Sequence, residues 1–214
     1  MSGIVIDLQR EVLDSNVDTV TLLRKAYLVA KKLKLADFEK WADCELNGYQ
    51  IEKTNIPQYR TLYGQLKAYN PYRGWIPVSF PTRKMQDRFS RSKSWDSIPS
   101  LVSALSAGQE LHMPVQGETA VLLNEMSEMG FETNYSLFFN ANAIESIVET
   151  VRNNILKWAI LLEENDIIGD GIVFSKEEKK QAQQPQIIHY TNNFYGDVDN
   201  TQLQQGTSSS EQSR

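Results

Sequence analysis

Between residues 141 and 165, eight apolar side chains recur at steps of one, three and four: Ile144, Ile147, Val148, Val151, Ile155, Trp158, Ala159 and Leu162. That spacing predicts one long helix, capped by Asn140 or Asn142, with a wide apolar stripe. Such a stripe has to be covered by other elements, so the chain needs further layers. The N-terminal third offers helical partners. Residues 4–14 read as a short amphipathic helix. Ser15, Asn16 and Asp18 then supply N-cap oxygens for a helix from Thr19 to about Lys34, with Leu22, Ala26, Val29 and Leu33 on its buried side. A further helix from about Ala36 to Asn47 places Phe38, Trp41, Ala42, Glu45 and Leu46 near one face and stops at Gly48. These last two helices are expected to pair as an antiparallel hairpin.

The period then changes from 3.6 to two. From Tyr59 to Tyr69, Leu62, Gly64, Leu66 and Ala68 alternate with Thr61, Tyr63, Gln65 and Lys67, the signature of a half-buried strand. Asn70-Pro71-Tyr72-Arg73-Gly74 has turn chemistry, and Trp75 to Phe80 reads as the return strand. Pro77 lacks a donor, which sends that strand to an edge or a bulge. Residues 81–97 read as a basic surface loop. Short helices are expected over Pro99–Ala107 and Glu118–Met129, and a strand over Asn134–Phe139. Ser175 with Glu178 matches a capping box.

The expected fold is therefore α+β. A helical hairpin at the N-terminus and a long C-terminal helix pack on a small, mainly antiparallel sheet built around residues 59–80. A composition shift after Pro185 places the domain over residues 1–180 and a disordered, low-complexity polar tail over 181–214.

Composition excludes several classes. No apolar run approaches the roughly 18–20 residues that span a bilayer; Trp158–Leu162 is about the longest. The first residues lack a basic region and a long apolar run, so no secretory signal is read. The single cysteine, Cys44, excludes an internal disulfide and fits a reducing, cytoplasmic setting. Two histidines and one cysteine leave too few ligands for a His/Cys zinc site, and neither metal nor cofactor is expected. No phosphate-cradling or nucleophile-elbow motif is present. Cys44 with His112, or Asp37 with Asp43 and Glu45, would form a catalytic group only if folding joined them. Isolated helix and loop positions, and a solvated helix face, explain them more simply.

Charge is distributed unevenly. The net charge is −5, yet residues 60–93 hold 8 basic side chains (Arg60, Lys67, Arg73, Arg83, Lys84, Arg88, Arg91 and Lys93) against Asp87 alone. Residues 94–174 hold 12 acidic side chains and only 2 basic ones. Aromatic residues Tyr59, Tyr63, Tyr69, Tyr72, Trp75, Phe80, Phe89 and Trp95 lie in or beside the basic block. Cations mixed with ring faces suit single-stranded nucleic acid, because charge holds phosphate and rings stack on bases. The same pattern also fits strand-core rings beneath solvating cations. In the tail, residues 194–207 combine two glycines with Asn- and Gln-rich pieces. Gly196, Val198, Asn200, Gln202, Leu203, Gln204 and Gly206 read either as a self-assembly motif, in which amide side chains ladder, or as a solvated linker.

Glu45-Leu46-Asn47-Gly48-Tyr49, Ile56-Pro57-Gln58-Tyr59-Arg60 and the run from Gly64-Gln65-Leu66-Lys67-Ala68-Tyr69 through Asn70-Pro71-Tyr72-Arg73-Gly74-Trp75-Ile76-Pro77-Val78 resemble the AbiTii abortive-infection domain of bacteria. The stretch Ile147–Ala159 and Gly169-Asp170-Gly171 are similar to the closing part of that family. The tail is similar to short C-terminal motifs of other bacterial defence proteins, with Leu203 where isoleucine is more usual. The resemblance covers most of residues 5–180 and implies phage defence, in which an infected cell stops growing or dies before phage matures. It implies no catalytic residues. The leading expectation is a non-enzymatic module acting by binding or self-association, whose partners are its own copies or other defence proteins and not a membrane. Arg60, Lys67, Arg73 and Trp75 are its expected surface cluster. The alternative is a nucleic-acid binder or toxin using segment 59–95.

Overall fold

The computed structural model describes residues 3–50, 56–108, 110–127, 131–185 and 187. The N-terminal elements are α1 (Ile4–Leu13), α2 (Thr19–Leu33) and α3 (Ala36–Asn47). A 3-10 turn, Gln58–Arg60, leads into β1 (Thr61–Tyr63), β2 (Gln65–Asn70) and β3 (Gly74–Pro77). Next come α4 (Arg83–Phe89), β4 (Arg91–Lys93), α5 (Ile98–Ser106), β5 (Leu111–Pro114), α6 (Gly117–Glu125) and β6 (Tyr135–Phe139). The long α7 (Ala141–Glu164) and the short α8 (Lys176–Gln181) close the described chain.

Side chains cap several helices, although Asn140, which precedes α7, makes no side-chain cap hydrogen bond. The Asp18 carboxylate accepts the Thr21 N–H at 2.9 Å and caps α2. Both halves of the Ser175/Glu178 capping box form at α8. α2 and α3 pair as a hairpin, and α7 packs against α1, α2 and α5. Trp158 of α7 is fully buried and stacks on Phe38 of α3 with ring centroids 3.7 Å apart. Arg152 clamps the end of α1 to α7: its guanidinium donates to the carbonyls of Glu11, Val12, Asp14 and Val17. Core packing continues past residue 180, since Ala182 and Ile187 are buried with the helices and the Gln183 amide donates to the Leu33 carbonyl at 2.8 Å. The folded body therefore extends beyond the boundary expected at 180.

Two antiparallel sheets stand beside the helices. One is the pair β1–β4, and the other has the order β3-β2-β6-β5. Gly64 lies between β1 and β2, where the chain passes from one sheet to the other. A Cβ built there would sit 2.2 Å from the Phe138 carbonyl oxygen, so only glycine fits. In the β2–β3 hairpin, the Asn70 side chain accepts the N–H groups of Tyr72 and Arg73, and Gly74 takes φ +72°. Pro77 lies on the edge strand β3 as expected, and Pro114 ends the opposite edge, β5.

Two segments depart from the expectation. Residues 81–97 are not a loop, because Thr82 caps α4 and β4 pairs with β1. Strand β5 had no expectation at all; it is four residues long, ends in proline and gains its partner only in three dimensions. Leu66, Ala68 and Tyr135 on one face of the larger sheet form a second small core with Phe89 of α4 and Leu123 of α6. The other face carries Lys67, Tyr69, Trp75, Ser136, Phe138 and His112, as the strand register dictates.

Candidate functional site

Arg60 does not belong to a surface cluster. Its side chain is fully buried and paired with the fully buried Glu45 carboxylate. Glu45 Oε1 also accepts the hydroxyls of Tyr49 at 2.6 Å and Tyr59 at 2.5 Å. Arg60 donates further to the carbonyls of Ser94 and Asp96, and Trp41 Nε1 donates to the Tyr59 hydroxyl at 2.8 Å. Burial and the adjoining Glu45 charge hold both tyrosine hydroxyls well above the usual phenol range. Burial opposes the Arg60 charge, but the Glu45 hydrogen bonds and charge outweigh it and raise its pKa. This saturated node joins α3 to the start of the sheet, and its cation has no donor directed at solvent. The signal was present in the sequence: an acidic residue, Glu45, on the apolar stripe of α3 calls for a buried partner.

The other three expected residues sit on or beside the open face of the larger sheet. Lys67 lies 4.0 Å over the Phe138 ring and pairs with Glu110 at 3.0 Å. Trp75 meets Tyr69 and Phe138 edge-on at 5.3 and 5.2 Å, and His112 stacks on Phe138 at 4.9 Å. Arg73 is exposed at the hairpin tip beside Tyr72, which is 96% exposed. The structure thus brings Lys67 and Trp75 together, adds His112 and Phe138 from distant strands, and removes Arg60.

Four of the remaining cations gather elsewhere. Arg83, Lys84, Arg88 and Arg91 line one hollow with Asp87, and none of the four is ion-paired with another described residue. Lys84 and Arg88 are four residues apart on α4, so their like charges share a face and weaken the helix slightly. Phe89 points the other way, into the small core, and stacks on Phe80 at 5.1 Å. Arg88 and Arg91 also rim a cleft of about 570 Å³ under α4 and β4. Its floor is apolar, with Leu66, Phe89, Leu123 and Leu137; Trp95, Gln116 and Thr119 stand in the wall beside residues of β4 and β5. Folding therefore divides the basic block into one buried ion pair, one sheet face with Arg73 at its hairpin tip, one cationic cluster without ion pairs, and Lys93, which donates to the Ile56 carbonyl at 2.8 Å.

Cys44 and His112 are not joined. Cys44 is half-buried on α3, where burial pushes its thiol up and away from the nucleophilic thiolate. His112 is on β5, with Nδ1 3.3 Å from the Ser136 hydroxyl. Asp37 and Asp43 are exposed while Glu45 is buried, so these acids do not converge. The tail motif, Gly196 to Gly206, lies outside the described residues. Among the described residues, no helix is long and apolar enough to cross a membrane.

No curated protein and no solved structure matched the chain. A family model described as AbiTii matches residues 3–187, ending at the buried Ile187. On that match, which takes in the helical layer, both sheets and the cationic cluster, the chain belongs to the AbiTii family.

Proposed function

We propose that this AbiTii chain acts in abortive infection as a non-enzymatic binding module, and that the α4–β4 face holds an anionic partner. One observation carries the reading: Arg83, Lys84, Arg88 and Arg91 line one hollow in which Asp87 is the one acid among the described residues, beside an open cleft. Grouped like charges repel one another and are relieved by a counter-anion, which they also attract over roughly a Debye length, about 8 Å at physiological salt. The family match supports the abortive-infection part of the reading. Self-association through Gly196, Val198, Asn200, Gln202, Leu203, Gln204 and Gly206 belongs to the same proposal and rests on the sequence of the tail.

The test is phage plating on cells expressing the protein. Arg88→Glu with Arg91→Glu should abolish protection at unchanged protein level; full protection by that variant would refute the reading. Deletion of residues 188–214 tests the tail separately, and equal protection would remove it from the mechanism.

A second surface supports contact with a protein partner. Tyr69, Tyr72, Arg73 and Trp75 cluster at the hairpin end of the open sheet face, and Tyr, Trp and Arg are the residues enriched in interface hot spots.

A further inference from the structure

We infer that the cleft under α4 and β4 is a nucleotide site, with the base on the apolar floor and phosphate on Arg88 and Arg91. The inference rests on the anionic-partner reading above and names the chemistry of that partner. At about 570 Å³ the cleft falls within the ~300–1,000 Å³ of small-molecule sites. Its floor is the inner sheet face, Leu66 and Leu137, with Phe89 and Leu123 from the flanking helices. These side chains also belong to the packed cores, so the floor is rigid before any ligand arrives.

The lining selects among anions. An inorganic phosphate would use Arg88 and Arg91 but leave the apolar floor wet. An acyl carboxylate would cover the floor but leave Gln116 and Thr119 unmatched. A nucleotide uses all three sets: a flat apolar ring, hydrogen-bonding edges and a phosphate. Trp95, 40% exposed on the cleft wall, offers a stacking face, and guanidinium planes stack on bases as well. Arg88 and Arg91 reach phosphate in bidentate fashion, which lysine does not.

The same chemistry is presented by a free nucleotide and by a nucleotide within a single strand. Arg83 and Lys84 extend the cations along α4 beyond the cleft, where the next phosphates of a strand would lie.

Equilibrium binding of the full chain to UMP, ATP, a short oligo(U), tripolyphosphate and decanoate tests the assignment. Nucleotides and oligo(U) should bind. Arg88→Gln with Arg91→Gln should weaken binding about tenfold or more, and should lower the log–log salt slope for oligo(U) by about 1.4. Trp95→Ala should weaken binding at least about fivefold, with Trp95→Phe restoring most of it. Lys179→Gln, an exposed change on α8, serves as the charge control and should bind like the unaltered chain. Thermal midpoints report whether each variant folds. Tighter binding of oligo(U) than of UMP supports a strand; equal affinity supports a free nucleotide, and both outcomes support the site. Tripolyphosphate binding as tightly as ATP and indifferent to Trp95→Ala would overturn the nucleotide assignment while leaving the anionic partner. Decanoate binding in preference to nucleotides would overturn it in favour of an acyl ligand. Failure of all five probes would overturn both readings.

Discussion

Replacing Arg60 by methionine tests whether the residue is a structural ion or a surface contact. Both members of the pair are fully buried, and Glu45 also receives two tyrosine hydroxyls. Removing only the cation leaves the Glu45 carboxylate charge unpaired in a fully buried site. Breaking one side of a buried pair costs about 3–5 kcal/mol, against a total domain stability of about 5–15 kcal/mol. With a urea slope of about 2 kcal/mol per molar, the unfolding midpoint should fall by about 2 M. Glu45→Gln combined with Arg60→Met removes the orphaned charge while keeping an acceptor for Tyr49 and Tyr59. That double variant should therefore be more stable than Arg60→Met alone by about 2 kcal/mol. Nucleotide affinity per folded molecule should not change. Urea unfolding followed by far-UV dichroism reads the stabilities. A loss under about 1 kcal/mol for Arg60→Met, or no recovery in the double variant, would refute the buried-pair reasoning.

Tyr49 and Tyr59 have folded pKa values above the ordinary tyrosine value of 10.0, so the folded state keeps protons that the unfolded state releases above that pH. Their contribution is fully present below pH ~10 and is lost as pH rises, at about 1.4 kcal/mol per pH unit per tyrosine. Tyr49→Phe should flatten the alkaline fall in stability by about one such increment, measured against the unaltered chain. At Glu178, burial disfavours ionisation, but the N–H groups of Ser175, Gly169 and Ile168 outweigh it and lower the pKa. That contribution is present above the ordinary value of 4.5 and is lost as pH falls through the lowered folded value, so Glu178→Gln should cost about 1 kcal/mol at pH 7 and progressively less in acid below 4.5. Gly64→Ala forces a Cβ against the Phe138 carbonyl and should cost about 2–3 kcal/mol in thermal or urea unfolding, with an unchanged midpoint disproving the close approach. Trp75→Ala with Tyr72→Ala should reduce phage protection without lowering the thermal midpoint by more than a few degrees, because Tyr72 is exposed and Trp75 is half-buried outside both packed cores.

The helices were legible because each carries its own signals. The stripe from Ile144 to Leu162, the Asp18 cap and the Ser175–Glu178 box are local, and each appears where the spacing put it. Hairpin β2–β3 was legible for the same reason, since Asn70 and Gly74 fix the turn. Segment 81–97 was misread because its basic and serine-rich composition resembles a loop. The apolar residues of α4 are only Met85 and Phe89, too few to display a period. Strand β5 has four residues and no alternation strong enough to stand out; β6 defines it by supplying the ladder.

Of the candidate sites, the sequence by itself determined the inventory: a run of cations with one acid, rings interleaved with them, and an acidic residue on an apolar helix stripe. Only the tertiary structure decided where each charge went. Arg60 went inward because Glu45 required a partner, and Lys67 crossed the sheet to Glu110 and Phe138. Arg83, Lys84, Arg88 and Arg91 were left beside Asp87 with no ion pair to a described residue. Local chemistry sets helix ends and turns, because the groups involved are a few residues apart. Whether a cation is a core ion or a free ligand for phosphate depends on what distant strands and helices bring to it, and that is fixed only when the layers pack.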